Sequence, residues 1–146
     1  MKKGYKNILV AVDGSKESEW ALDQAIQQAS LTNATIFLTH IIDTKNLTAF
    51  DMYNQNATQS LVKYAEQLLT ECVNKVKEAK IENVHSILEY GSPKVKISKD
   101  LAKTHEIDLI ICGATGLNAV ERFLIGSVSE NIVRHAKCDV LIVRNP

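Results

Sequence analysis

Gly113 and Gly116 stand three residues apart, nine residues separate them from Gly126, and Ser127 follows directly. Residues of these types at this spacing suit the holding of a phosphate. A glycine lets the backbone turn sharply and bring its amides against a ligand with no Cβ in the way. A helix that starts at Gly126 and Ser127 adds free N–H groups, a hydroxyl and the positive end of the helix dipole. Taken singly, Gly116 reads as a turn residue and Ser127 as a plain cap. The four together read as an anion site in two halves.

The elements that must position these residues are visible on either side. Asp108-Leu-Ile-Ile-Cys-Gly113 is a short apolar run of the kind that forms a buried parallel strand, and it delivers Gly113 at its carboxyl end. Val128 to Ala136 reads as a helix, which the Gly126-Ser127 pair opens. Neither of the commoner nucleotide signatures is present. No Gly-x4-Gly-Lys-Ser/Thr loop occurs, and no Gly-x-Gly-x-x-Gly follows the first strand.

The remaining elements alternate. Asn7 to Val12 is a continuous apolar run, the pattern of a central strand covered on both faces, and it ends at Asp13-Gly14-Ser15. Helical spacing follows in Trp20, Ala21, Ala25, Ile26 and Ala29, with Ser15 placed to cap it. Ala34 to Ile42 is a second strand, rich in β-branched residues. Thr44 to Asn56 has no clean period and reads as a long loop. Ala57 to Lys80 carries Leu61, Tyr64, Ala65, Leu68, Leu69, Cys72, Val73 and Val76, the best amphipathic helix of the chain. Val84 to Tyr90 reads as a third strand at a sheet edge. Pro93 then opens a helix bearing Val95, Ile97, Leu101 and Ala102. Leu109 to Cys112 and Val140 to Val143 are the fourth and fifth strands. Five strands alternating with four helices imply a mostly parallel α/β sheet with right-handed crossovers and helices on both faces.

With 146 residues and no internal repeat or linker, the chain reads as one domain over 1–146. Seventeen basic residues balance seventeen acidic ones, so charge draws the protein neither to nucleic acid nor to an anionic membrane. The apolar run after Lys2-Lys3 is too short for a signal peptide, and no stretch approaches a membrane span. Cys72, Cys112 and Cys138 are an odd, scattered set without zinc or disulfide spacing, which makes a reducing cytoplasm the expected compartment. His40, His85, His105 and His135 lie far apart and read as packed or solvent-facing residues. No metal-ligand set and no paired base and nucleophile can be named.

With Gly113, Gly116, Gly126 and Ser127 in register, and with Ile8-Leu-Val-Ala-Val-Asp-Gly-Ser15 and Cys138-Asp-Val-Leu-Ile-Val143 at the two ends, nearly the whole chain resembles the universal stress protein family. The likeness is to its ATP-binding branch. That resemblance implies the adenine nucleotide alpha hydrolase-like fold with strand order 3-2-1-4-5, which brings Asp13 beside Gly113 at the reversal of strand order, where such sheets bind ligands. It implies that Ala11, Val12 and Asp13 line the adenine and ribose side and that Ile41 packs on the adenine. Cys112, Gly113, Thr115 and Gly116 would approach the ribose and phosphates, and Gly126, Ser127 and Val128 would hold the phosphate tail, with Ser129 adding a hydroxyl. Asp13 would accept from ribose hydroxyls or approach Mg²⁺ held by the phosphates. The same features accommodate ADP, AMP or a cyclic dinucleotide. The resemblance further implies a homodimer through Val140, Leu141, Ile142 and Val143, whose edge strand would otherwise leave backbone groups unpaired. The expected function is a cytoplasmic, dimeric, ATP-dependent switch in stress response and not an enzyme. A dimeric scaffold or chaperone-like protein without nucleotide, or a slow ATPase, stands as the alternative.

Overall fold

Apolar runs flanked by turn residues form the strands, and the computed structural model, which describes residues 4–43, 55–114 and 126–144, assembles them into one parallel sheet. The strands are β1 (Asn7–Ala11), β2 (Thr35–Asp43), β3 (Val84–Gly91), β4 (Leu109–Gly113) and β5 (Asp139–Val143). Their order is β3-β2-β1-β4-β5, with every neighbouring pair parallel. The expected order therefore holds, and both expected edges, β3 and β5, are edges. The fully buried Ile8-Leu9-Val10 of β1 faces Ile36 to Leu38 on one side and Leu109 to Ile111 on the other.

Helices cover both faces. Between the strands run α1 (Lys16–Thr32) and α2 (Gln55–Glu78), then a helix α3 over residues 93–104, and α4 (Ser127–His135). Side chains alternate along each strand, so β1 sends Ile8, Val10 and Val12 under α1 and α2, where they meet Ala21, Leu22, Ala25, Leu69 and Val76. Leu9 goes to the opposite face, with Ile97 and Leu101 of α3, Ile132 of α4, and Ile110 and Cys112 of β4. Each fully buried aliphatic side chain contributes about 1.5–3 kcal/mol by leaving water. At the amino end of the sheet the Asp108 carboxylate accepts from Lys6 N at 2.8 Å and Asn7 N at 2.9 Å, which fixes β1 against β4.

Three local features depart from the periodicity. Helix α2 begins at Gln55, two residues inside the expected loop, whose residues 44–54 lie outside the described residues. Helix α3 widens into a π-helical turn over Lys96–Leu101, which turns Ile97, Ser98 and Leu101 inward together. Ser98 Oγ donates to Lys94 O at 2.6 Å, giving that carbonyl a partner in the wide turn. Val95, expected with the apolar residues of this helix, instead points outward at 46% exposure. Leu22 of α1, outside the set expected from helical spacing, is buried.

Candidate functional site

The carboxyl ends of β1 and β4 meet where strand order reverses, and two loops leave from there. The loop after β1 is short and closely bonded. Ser15 caps α1 by accepting from Ser18 N at 3.2 Å, and Ser18 Oγ donates back to Ser15 O at 3.0 Å. A capping-box glutamate is absent at position 18, but the serine there closes a smaller reciprocal pair. Asp13 Oδ1 accepts from Ser15 N at 2.9 Å, an Asx turn, and Asp13 N donates to Ser18 Oγ at 3.4 Å. That bonding engages one carboxylate oxygen of Asp13 and leaves the geometry of a second oxygen at the strand end. Gly14 adopts φ +88°, a conformation that costs other residues steric strain.

The second half of the site joins β4 to α4. Gly126 is the N-cap of α4, in extended conformation with no side-chain cap. Its N–H donates to Ala114 O at 2.6 Å, while Ser129 Oγ donates to Gly113 O at 2.5 Å. These two bonds hold the amino end of α4 against the carboxyl end of β4. The amides of Ser127, Val128 and Ser129 lie in the first turn, where a helix offers them no carbonyl of its own, and they point along the positive end of the dipole. Ser127 is exposed and Val128 half-buried.

The bonds to Gly113 O and Ala114 O bring Gly126, Ser127, Val128 and Ser129 to the end of β4, and Asp13 follows the end of the neighbouring strand β1. Thr115 and Gly116 lie outside the described residues. The Ala11 and Ile41 side chains belong to the face covered by α3 and α4, with Ile41 8% exposed. Val12 turns its side chain to the opposite face, and its backbone is engaged on both sides: Val12 N donates to Thr39 O at 2.9 Å and Val12 O accepts from His40 Nδ1 at 2.8 Å. The Cys112 side chain is buried in the core, so what β4 offers there is backbone. Burial pushes the Cys112 thiol from 9.0 up to about 11, against a smaller opposing effect of the Ser129 hydroxyl. Cys72 and Cys138 are likewise raised by burial, which leaves these thiols poor nucleophiles.

Two features were not legible from spacing. The place of Gly113 is dictated by packing as well as by any ligand: a Cβ there would come within 2.6 Å of Glu17 Cβ and 2.9 Å of Glu17 C in the first turn of α1. The first turn of α1 thus packs directly against the end of β4. The other feature is His40, which reads as a packed residue at a strand end but also holds the loop after β1 through Val12 O. A carbonyl has no proton to give, so the ring carries its proton on Nδ1. Its signal in the sequence is only a polar residue inside an apolar strand. Among the described residues no three His, Cys, Asp or Glu side chains converge as a metal site, and no helix is long and apolar enough to cross a membrane.

Known proteins share both the chain and the fold. The family model described as the universal stress protein family matches residues 4–144. A Staphylococcus haemolyticus protein that bears a universal stress protein name is 48% identical over 140 residues, which cover 96% of this chain and 85% of that protein. The structure of universal stress protein UspA from Lactobacillus plantarum is 32% identical, with TM-score 0.89 over 98% of this chain and 100% of that one. A universal stress protein crystallised in complex with cAMP is 26% identical, with TM-score 0.74 over 99% of this chain and 100% of that one. Match along nearly the full length, in sequence and in strand order alike, makes this chain a member of the universal stress protein family.

Proposed function

We propose that this universal stress protein binds ATP at the paired loop ends of β1 and β4, and that the nucleotide switches its shape or its partners in response to stress. The observation that carries the proposal is the capless amino end of α4, bonded to the glycine end of β4, the strand that pairs with β1 ahead of Asp13. First-turn amides supply the phosphate end. The second Asp13 oxygen suits a ribose hydroxyl or an Mg²⁺ ion held mainly by phosphates. The relative bound to cAMP supports an adenine ligand for the fold. Turnover forms no part of the proposal, since no paired base and nucleophile stands out at the site among the described residues, and a phosphate site of that kind favours binding over hydrolysis.

Two further parts complete the reading. The β5 edge, with Val140, Leu141 and Ile142 half-buried, suits symmetric pairing with a second copy. A cytoplasmic compartment agrees with three thiols and no zinc or disulfide spacing in the sequence. Sedimentation at micromolar concentration should give a dimer, and a monomer there would refute the pairing. Calorimetric titration of ATP with Mg²⁺ should give saturable binding near one nucleotide per chain, lost in a Gly126→Val, Ser127→Ala double variant. No binding at millimolar ATP would remove the nucleotide and leave the dimeric scaffold as the function.

A further inference from the structure

We infer that Tyr64 of α2 is a positioning residue for the loop after β1, and that it couples the placement of α2 to nucleotide affinity. The coupling rests on the nucleotide reading above; the holding of the loop does not. Helical spacing assigns Tyr64 to the apolar stripe of α2, beside Ala65 and Leu68. The structure instead leaves it 47% exposed, with its ring over the mouth of β1. Its hydroxyl donates to Asp13 O at 3.3 Å. The same oxygen fills the space beside Gly14, where an added Cβ would collide with it. The edge of the ring meets His40, with centroids 6.3 Å apart and planes at 72°.

The consequence is that three successive residues of one loop are gripped from outside it. His40 of β2 holds Val12 O, and Tyr64 holds Asp13 O and covers Gly14. Val12 N is also held by Thr39 O of β2, and the bonds among Asp13, Ser15 and Ser18 are internal to the loop and its helix. They set the shape of the loop but cannot sense the position of α2. Tyr64 makes that connection at the loop end of a cleft of about 450 Å³ between α1 and α2, lined by Gly14, Ser18, Leu22, Tyr64, Leu68 and Cys72, while the Lys75–Asp23 ion pair at 2.6 Å ties the two helices further along. A helix across an open cleft can shift at lower cost than one in a filled interface, since close-packed side chains resist displacement. A shift of α2 therefore loosens or tightens the Asp13 loop through one phenol.

The test is Tyr64→Phe, which deletes the hydroxyl and keeps the ring against His40. Amide exchange in the nucleotide-free protein should quicken at Asp13 and Ser15, whose N–H groups the loop bonds protect, and stay unchanged at Ile8 to Val10. ATP affinity should weaken with it. Both effects should be about two- to tenfold, the size of one exposed hydrogen bond. Unchanged exchange at Asp13 and Ser15 overturns the inference. Faster exchange with wild-type ATP affinity overturns the coupling. If the wild-type protein binds no ATP, the nucleotide reading fails and the coupling with it, while the exchange comparison alone decides whether Tyr64 holds the loop.

Discussion

Replacing Gly113 by alanine adds a single methyl group at the point where α1 crosses β4. Built on the existing backbone, that methyl lies 2.6 Å from Glu17 Cβ, 2.9 Å from Glu17 C and 3.0 Å from Glu17 O. Two of the three atoms are backbone, so no rotamer change relieves the contact. Ordinary van der Waals contact begins near 3.4 Å, so α1 must retreat from β4 by most of an ångström. That retreat pulls on Ala21, Leu22 and Ala25, which are packed to 2% exposure or less. Overpacking of this kind costs about 1–3 kcal/mol. For a chain of this size each kcal/mol lowers the melting midpoint by roughly 2–4 °C. The assay is thermal and urea unfolding of Gly113→Ala beside Gly126→Ala. Gly126 sits at φ −65° and ψ 163°, which alanine adopts freely, and the cap change there costs under about 1 kcal/mol. The expected result is a much larger loss for Gly113→Ala than for Gly126→Ala, present without any nucleotide. Equal stability of Gly113→Ala and wild type would refute the packing reason and leave ligand approach as the sole demand for glycine.

Other consequences follow from single contacts. Ser15→Ala removes the cap of α1 and should cost about 1 kcal/mol in unfolding free energy, and Ser15→Asp, which keeps an acceptor, should recover most of it. Ser129→Ala deletes the bond to Gly113 O inside the protein and should destabilise by about 1–3 kcal/mol, while a titration should find weaker ATP binding as the start of α4 loses its anchor to β4. Cys112 supplies a pH dependence. Its thiol ionises near 9.0 when unfolded and near 11 when folded, so the folded state holds the proton longer. The resulting stability is fully present below pH 9 and declines between pH 9 and 11 by about 2–3 kcal/mol. Cys112→Ala should flatten that decline, and an unchanged alkaline profile would show that the thiol does not govern it.

Local patterns were read from the chain wherever the controlling interaction is local. Ile8 to Val10 and Leu109 to Ile111 announce buried strands because a strand covered on both faces needs apolar side chains without alternation. Ser15 and Pro93 mark helix starts because caps and proline act within one turn. The π-helical turn in α3 was not legible in this way. Ile97, Ser98 and Leu101 fall on one face of an ordinary α-helix as well, so their spacing does not distinguish the two kinds of turn. Ser129 illustrates a similar limit. Its hydroxyl was expected at the ligand and is found donating to Gly113 O, since a serine in a first helical turn reaches whichever acceptor the neighbouring strand presents.

By itself the sequence determined the element order, the alternation that demands a parallel sheet, and the glycine and serine spacing on which the proposed anion site rests, all of which depend on residues near one another in the chain. The tertiary structure decided what those residues touch. It set Glu17 against Gly113, His40 against Val12 and Tyr64 against Asp13, pairs that stand well apart in the chain, 28 residues for His40 and Val12 and 51 for Tyr64 and Asp13. Such contacts depend on how helices lie across a twisted sheet, a matter of packing volumes and distances for which one-dimensional spacing holds no record.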